Sequence, residues 1–489
     1  MRSISILAAS AALLAVAAPA NADVVTDWNG TAVSLARDNL VGKPNPATRA
    51  IAIAHLAAYD AVVAITKTYE PYHADIEADV SASAEAAAAQ AFHDTLKALF
   101  PTAGTDIDAQ LATDLAEIAD GTAKDQGIAA GQAAAADILA LRTGDGSDVP
   151  GSYSGSTDIG LWRPTPTALA AASTPEWATL PPFALTTPEQ FRPGAPPALG
   201  SAAYAVSYTE VKLLGKKTGS ARTTEQTRIA NFWAVQTHIP FNAIARSLAK
   251  KNALAIDESA RLFALLNLAL ADSRIAAWDA KYFYGSWRPI TAIQNIDPEP
   301  DGAGGAAGAP SGPGEYNDGN ADTVADPAWE PLLATPNHPD YVSGHSTTGA
   351  AAAAVLAYVF GDATTFTVGS ETSVPEGLTR EYSSFTDAAE ENAVSRVYGG
   401  IHFSYANEAG LALGTDVGNY VVDNFLQEIP GGGGKGGSSS VSSDSSDDSG
   451  CSVSAPANGS GSSLFPLAGL AAALLLRRRR GNSDISGRN

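Results

Sequence analysis

Three short polar segments constrain this chain more than any other feature of its sequence. They are Lys281 to Pro289 (KYFYGSWRP), Ser343 to His345 (SGH) and Ser395 to His402 (SRVYGGIH). Together they supply three permanent cations, two imidazoles, a hydroxyl group and a glycine backbone amide. Guanidinium forks match the edges of an oxyanion, and a lysine adds a compact point charge. The set therefore predicts a site that holds a tetrahedral oxyanion and places a histidine on either side of it.

The spacing within the first two segments favours helices. Lys281 and Arg288 are seven residues apart, which is two helical turns, so both side chains project from one face if the helix continues that far. The segment Ser343 to His345 opens an Ala-rich run that predicts a helix at 346–360. An anion at the start of that helix would meet free backbone N–H groups and the positive end of the helix dipole.

The third segment is expected to return to the same place. Arg396 ends a polar helical pattern at 387–396, and Gly399-Gly400 then breaks the chain before His402. Because a glycine pair is a strong helix breaker, it can redirect the chain toward the other two segments.

The remaining sequence predicts a mostly α fold with no strand-dominated region. Apolar residues recur at helical spacing on both sides of a Pro- and Gly-rich stretch at 143–201, and a Gly/Pro/Asp-rich surface insertion is expected at 297–326. Helices are predicted at 47–65, 84–100, 106–141, 201–214, 223–235, 241–250, 257–284, 346–360, 387–396 and 407–427.

The three segments, in the order K-x6-R-P, S-G-H and S-R-x5-H, resemble the signature of the vanadium-dependent haloperoxidase and type 2 phosphatidic acid phosphatase (PAP2) superfamily. The resemblance extends over about 23–428, because family-like stretches also occur at 47–61, 161–165 and 398–403. Three motifs with their internal spacings kept are far more specific than any one triplet. The resemblance implies helical bundles around a central oxyanion site for vanadate or phosphate.

The resemblance also implies roles for the motif residues. His402 would be the axial ligand of vanadium, or the covalent nucleophile if phosphate is the substrate. His345 would be the acid–base residue that accepts a peroxide proton. The oxygen atoms of the anion would be bound by Lys281, Arg288, Arg396, Ser343 and the backbone amide of Gly344.

Two further positions bear on halide choice. Trp278 lies three residues before Lys281, where chloroperoxidases of the family place a tryptophan of the halide pocket. His338 lies five residues before Ser343, at a place where family chloroperoxidases carry Phe and bromoperoxidases carry His. The resemblance therefore favours bromide or iodide over chloride.

Three functions remain open from the sequence. The first is a vanadate-dependent haloperoxidase that uses hydrogen peroxide to oxidise halide, with small organic acceptors for the product. The second is a secreted acid phosphatase with His402 as nucleophile. Ala406 replaces an Asp that family phosphatases often carry, so Asn407 or Glu408 is expected to orient His402. The third is a non-catalytic phosphate-binding envelope protein, which the intact His345 disfavours.

The sequence divides into four parts. Residues 1–22 read as a secretory signal peptide, with an apolar run and a small-residue cleavage site. The haloperoxidase/PAP2-like domain is expected at 23–428, with an N-terminal helical part at 23–200 and the motif-bearing part at 201–428. The Gly/Ser/Asp-rich linker at 429–463 precedes the last part at 464–489.

The last part, 464–489, contains thirteen mostly apolar residues followed by four arginines. That apolar run is short for a stable transmembrane helix. Together with Cys451, this part resembles the C-terminal sorting signals of Gram-negative envelope proteins. The resemblance implies transient membrane anchoring through 464–480 and removal by a membrane-processing protease. A plain C-terminal membrane anchor is the alternative. The protein is therefore expected to be exported to the periplasm, the outer surface or the medium of a Gram-negative bacterium.

The net charge of −22 argues against nucleic acid or an anionic membrane as the main partner, because both are polyanions. The predicted domain also contains neither Cys nor Met, since Met1 and Cys451 are the only ones. Disulfides and cysteine-based catalysis are thereby excluded for the domain.

Overall fold

The protein is described by a computed structural model at residues 23–73, 75–166, 168–294, 318, 320–369 and 378–431. The predicted mostly helical fold is confirmed. A small antiparallel sheet, β1 (Phe366–Gly369) with β2 (Thr379–Tyr382), was not predicted. The helices are α1 (Val24–Asn39), α2 (Pro44–Thr66), α3 (Ala84–Leu99), α4 (Gly104–Ala116), α5 (Thr122–Leu141), α6 (Ala202–Leu214), α7 (Thr224–Phe232), α8 (His238–Asn252), α9 (Ile256–Tyr284), α10 (Pro289–Gln294), α11 (Gly344–Phe360), α12 (Phe385–Tyr398) and α13 (Ser404–Asn424).

Helix α9 is shared by two helical bundles. On one side it packs against α2, which packs in turn against α3 and α5. On the other side it packs against α11 and α13, and α12 packs on α11. Nearly every side chain of α9 from Ser259 to Lys281 is buried, because apolar residues occur all round the helix. The last turn of α9 carries the first four residues of the first polar segment, beginning with Lys281.

Helix α2 is also buried in the core. Among the described residues it is long and apolar enough to cross a membrane, with a mean hydropathy of 1.4 over its apolar window. Yet 94% of that window is buried inside the protein, and the helix carries His55 and Asp60 among its buried residues. Its burial is that of the core helix of a helical bundle.

One predicted helix is wrong. The pattern at 106–141 predicted a continuous helix, but α4 ends at Ala116 and α5 begins at Thr122. The break is made by Gly121, whose φ of 143° is a conformation that residues with a side chain rarely adopt. The predicted signal peptide at 1–22, the linker beyond 431, the tail at 464–489 and most of the insertion at 297–326 lie outside the described residues.

Glycines allow α13 to lie unusually close to α11. A Cβ at Gly414 would overlap the carbonyl oxygen of Thr347, and one at Gly410 would lie 2.8 Å from the carbonyl oxygen of Ser343. Because real Cβ atoms do not approach so closely, only glycine fits at these places. The contact fixes the start of α11, which carries the second polar segment, against α13.

We expect Gly414→Ala to lower the free energy of unfolding by about 3 kcal/mol, since the added methyl group must push two packed helices apart. Equilibrium denaturation in urea measures this. Gly30→Ala in α1 is the matched control, because the atom nearest to its added Cβ is 4.0 Å away; it should leave stability unchanged or raise it by up to about 1 kcal/mol. Equal effects of the two substitutions would contradict the packing argument.

Candidate functional site

The C-terminal end of α9 places three side chains on one face. Arg274, Trp278 and Lys281 are spaced i, i+4 and i+7, which aligns them along the helix. The expectation that Arg288 shares this face is wrong. Helix α9 ends at Tyr284 because Gly285 adopts a left-handed conformation (φ 58°) and caps the helix.

Lys281 and Arg288 nevertheless meet, through the segment that precedes the second motif. The Lys281 Nζ donates to the carbonyl oxygens of Pro339 (2.7 Å) and Asp340 (3.0 Å). The Arg288 Nε donates to the carbonyl oxygen of His338 (2.7 Å). Both cations are completely buried, and their hydrogen bonds hold the backbone of residues 338–340 in place.

His402 lies between Arg288 and Asp340. Its Nδ1 is 2.9 Å from a carboxylate oxygen of Asp340, and its Nε2 is 3.1 Å from Nη1 of Arg288. The expectation that Asn407 or Glu408 orients His402 is wrong. The Asn407 amide oxygen instead accepts a hydrogen bond from Ser346, and Glu408 is exposed. Sequence reasoning missed Asp340, because α11, the small sheet and α12 separate it from His402 in the chain.

The electrostatics of this pair favour a neutral imidazole. Burial and the charges of Arg288 and Lys281 hold the pKa of His402 well below its usual range. Burial raises the pKa of Asp340 to about 7, although Arg288 and Lys281 oppose the rise. Because Nη1 of Arg288 can only donate, Nε2 accepts from it and the single imidazole proton is left on Nδ1, the nitrogen near the Asp340 carboxylate. The Nε2 lone pair of His402 accepts from Arg288, so a ligand atom would have to take the place of that guanidinium at Nε2.

The second motif forms the N-terminus of α11. The Ser343 Oγ caps the helix by accepting from the backbone N–H of Ser346 (3.4 Å) and from the Ser346 hydroxyl (2.9 Å). The Ser346 hydroxyl also lies 3.2 Å from the amide oxygen of Asn407, so its single proton serves one of these two oxygens at a time. A Cβ at Gly344 would lie 3.1 Å from Nη1 of Arg274 and 3.2 Å from the ring of Trp278. A side chain at this position would require Arg274 or Trp278 to move by a few tenths of an ångström.

His345 and Arg396 come together through the segment that precedes α8. The His345 Nε2 lies 3.0 Å from the carbonyl oxygen of Val235, and Nη1 of Arg396 donates to that of Trp233 (2.7 Å). The carbonyl fixes the imidazole proton on Nε2 and leaves Nδ1 as an acceptor. Burial, and then the charge of Arg396, hold the pKa of His345 well below its usual range. Burial lowers the pKa of Arg396 to about 9.

These residues surround one cavity of about 190 Å³. Lys281, Arg288 and Ser343 are not part of its wall and stand behind it. Trp278 and His338, the two residues considered for halide binding, do line it, with ring centroids 4.8 Å apart and Nδ1 of His338 2.8 Å from Nη2 of Arg288. The site residues in its wall are Arg274, Trp278, His338, Gly344, His345, Arg396 and His402.

The cavity is strongly positive. Four buried cations belong to it or stand directly behind it: Arg274, Lys281, Arg288 and Arg396. Among the described residues, Asp340 is the carboxylate that reaches them, 3.7 Å from Arg288. Two other acidic residues, both in α9, are already bonded to groups other than these four cations.

Asp272 accepts hydrogen bonds from the backbone N–H groups of residues 183, 184 and 185, and Asp279 forms an ion pair with Arg192 at 2.6 Å. Structural ion pairing therefore does not account for the buried cations. The cavity fits an oxyanion, because uncompensated buried charge requires an anion and because Nε of both Arg274 and Arg396 has no partner among the described residues. Those residues contain no cluster of His, Cys, Asp and Glu that could hold a metal cation.

Known proteins with this architecture bear on the site. Residues 261–431 match the family model described as the VCPO second helical-bundle domain. The structure is similar to that of the first bacterial vanadium-dependent iodoperoxidase, with 27% sequence identity and a TM-score of 0.69; the match covers 83% of this chain and 97% of that one. No curated protein sequence matches the chain significantly.

The fold is also that of a bacterial vanadium-dependent chloroperoxidase. The apo-type structure of that enzyme is 18% identical, with a TM-score of 0.60 over 78% of this chain and 94% of that one. The holo-type structure is 18% identical, with a TM-score of 0.59 over 85% and 94%. At this identity the likeness concerns the fold alone, whereas the three motifs, the matched domain and the iodoperoxidase likeness concern the site. The match of residues 261–431 and the likeness to the iodoperoxidase agree with the resemblance of the three motifs to the vanadium haloperoxidase and PAP2 superfamily.

Proposed function

We propose that the protein is a vanadate-dependent haloperoxidase, which oxidises halide with hydrogen peroxide to hypohalous acid. The observation that carries the proposal is the buried cavity that both His402 and His345 line and that four buried cations surround. The likeness to a bacterial iodoperoxidase supports it. Small organic molecules would be the acceptors of the oxidised halogen.

The residues of the cavity fit vanadate. His402 would offer Nε2 to the metal, while Arg396 and the amide of Gly344 would hold its oxygens from the cavity wall. Lys281, Arg288 and Ser343 stand behind the cavity wall and would donate the remaining hydrogen bonds to the vanadate oxygens. Bound vanadate would supply a Lewis acid that activates peroxide without a change of its own oxidation state.

His345 would move the proton. Its Nε2 is engaged by Val235, so Nδ1 would accept a proton from hydrogen peroxide entering the cavity. Because burial and Arg396 depress the pKa of His345, the imidazole is neutral and ready to accept at neutral pH.

Iodide or bromide is the proposed halide. Trp278 and His338 form one wall of the cavity, and Arg288 holds the edge of the His338 ring. This wall is polar where family chloroperoxidases carry Phe. The more easily oxidised halides need less activation than chloride, so the proposal predicts iodide and bromide turnover well above chloride turnover.

The direct test compares two reactions of the metal-free protein. Incubated with orthovanadate, it should brominate a phenol-type dye in the presence of bromide and peroxide, and inorganic phosphate should suppress this by competing for the same cavity. Hydrolysis of p-nitrophenyl phosphate without vanadate is measured in parallel. Hydrolysis without halogenation would refute the peroxidase proposal.

A carboxylate next to the ligand histidine gives a second expected result. We expect Asp340→Asn to weaken vanadate binding by about 10- to 100-fold, because outer partners of a ligating histidine fix its orientation and raise its basicity. Equilibrium dialysis with vanadium analysis measures this. Asp279→Asn is the control, since that residue pairs with Arg192 on the other side of α9. Unchanged affinity in Asp340→Asn would show that Asp340 does not act on His402.

Acid phosphatase activity is the second candidate, and Asp340 favours it. A carboxylate 2.9 Å from Nδ1 of His402 is an arrangement that also activates a histidine nucleophile. The sequence had disfavoured this activity because Ala406 replaces the expected Asp, and Asp340 supplies the missing carboxylate from elsewhere. The parallel hydrolysis assay decides between the two.

We also propose export, followed by C-terminal processing. The support is the sequence of the two ends, an apolar run before Asp23 and the apolar and Arg-rich segment at 464–480. Mass spectrometry of the protein from cell envelope and medium tests this: a mature chain that begins at Asp23 and lacks 464–489 is expected, and an intact chain in the cytoplasm would refute it.

A further inference from the structure

We propose that Arg274 is a fourth cationic ligand of the bound oxyanion, beside the three cations of the sequence motifs, and that it contributes directly to anion affinity. The inference rests on the proposed oxyanion site. It assigns a role to a residue that lies outside all three motifs.

Arg274 is placed where it can contact an anion in the cavity. Arg274 lines the cavity, and its Nη1 lies 3.1 Å from where a Cβ of Gly344 would be. It therefore stands beside the N-terminus of α11, where the backbone amide of Gly344 would face a bound anion. An oxygen atom bound at that amide would be within reach of the guanidinium.

Arg274 also lacks a hydrogen-bond partner within the part of the chain that the structure describes. Arg274 is 2% exposed, and its Nε and Nη2 make no hydrogen bond with the described residues. Its closest aromatic contact is the Trp278 ring, 5.9 Å from the guanidinium carbon. A buried guanidinium that is neither paired nor solvated is strongly unfavourable. By contrast Arg261, on the same helix, donates to the carbonyl oxygen of Leu426 and to the hydroxyl of Tyr358.

Arg274 lies among other buried cations. Lys281, Arg288 and Arg396 are also buried around the cavity, so Arg274 raises the total to four cations against the one carboxylate of Asp340. A purely structural role would place a cation near acidic groups, and here it stands among cations. Such a residue lowers the stability of the empty protein and recovers that loss when an anion binds.

The test uses inorganic phosphate as the probe, titrated by calorimetry into the full-length protein without vanadate. Arg274→Leu should weaken phosphate binding by about 10- to 100-fold, the loss expected for a charge-assisted hydrogen bond in a buried site. Arg274→Lys should lose less, because it keeps the charge but not the fork. Arg261→Leu is the matched control and should bind phosphate like the wild type.

Thermal unfolding in phosphate-free buffer separates this role from a structural one. Arg274→Leu should unfold at the same temperature as the wild type or higher, because repulsion among the buried cations is relieved. A lower unfolding temperature with unchanged phosphate affinity would overturn the inference. If Arg274→Leu does not fold, Arg274→Lys decides: unchanged affinity for phosphate overturns the inference, and weaker affinity supports it.

Arg396→Leu distinguishes the inference from the proposed function. If Arg396→Leu loses phosphate binding and Arg274→Leu keeps it, the oxyanion site stands and Arg274 is not part of it. If the wild type binds neither phosphate nor vanadate, the proposed function and this inference fail together.

Discussion

Replacing His402 with alanine should abolish both vanadate retention and halide oxidation. The imidazole lies between Asp340 and Arg288, and its Nε2 is the nitrogen assigned to the metal. Without it, the cations would still attract an oxyanion, but no group would bond to the metal. Vanadium analysis after desalting and bromination assays should both give values at background.

The control for this substitution is His55→Ala. His55 is equally buried, in α2, where its Nε2 contacts the amide of Asn29. Losing it should cost stability, because a cavity is left in the core, while vanadate retention persists. If His402→Ala kept vanadium or turned over halide, the role assigned to His402 would be wrong.

The helical fold could be predicted because the periodicity of the sequence is strong where helices are long and buried. The predicted helix at 257–284 differs from α9 by one residue at its start. The break between α4 and α5 could not be predicted, since one glycine in an apolar helical pattern is normally tolerated. The short sheet of β1 and β2 was missed for a similar reason, because strands of four residues leave too little pattern to detect.

The candidate site could be predicted only as far as its residues lie in motifs. The motif spacings identified Lys281, Arg288 and Arg396. The single helix that was expected to carry both Lys281 and Arg288 ends at Tyr284, where Gly285 caps it. Asp340 and Arg274 reach the site by tertiary packing. The i, i+4, i+7 series of Arg274, Trp278 and Lys281 was visible in the sequence and could have identified Arg274.

One cavity can serve both chemistries proposed here, since five-coordinate vanadate has the shape of a phosphoryl-transfer transition state. The protein groups that hold charge are the same in either case. The two reactions differ in the role of His402. In the peroxidase it would bind a vanadium that stays in the cavity, whereas in the phosphatase it would attack the phosphorus of a substrate whose phosphate is later released. Substitutions that remove charge therefore cannot distinguish them, whereas a substitution that removes proton transfer and keeps the anion can test the peroxidase mechanism directly.

His345→Ala is that substitution. The N-terminus of α11 should survive it, because Asn392 bonds to the backbone carbonyl of His345 rather than to its side chain, and Ser343 still caps the helix. Vanadate should remain bound within a few-fold of wild-type affinity. Turnover of bromide should fall by about 10²- to 10⁴-fold, the usual contribution of a positioned acid–base group.

Steady-state bromination and equilibrium dialysis with vanadate, made on the same preparation, measure the two quantities. Added imidazole should restore part of the lost turnover, because the vacated space adjoins the 190 Å³ cavity and a small base can enter it. Rescue would not follow if the substitution had merely distorted the anion site, since imidazole cannot repair misplaced ligands. Turnover equal to wild type with vanadate bound would show that the proton is taken by another group. Loss of vanadate together with turnover would instead assign His345 to anion binding.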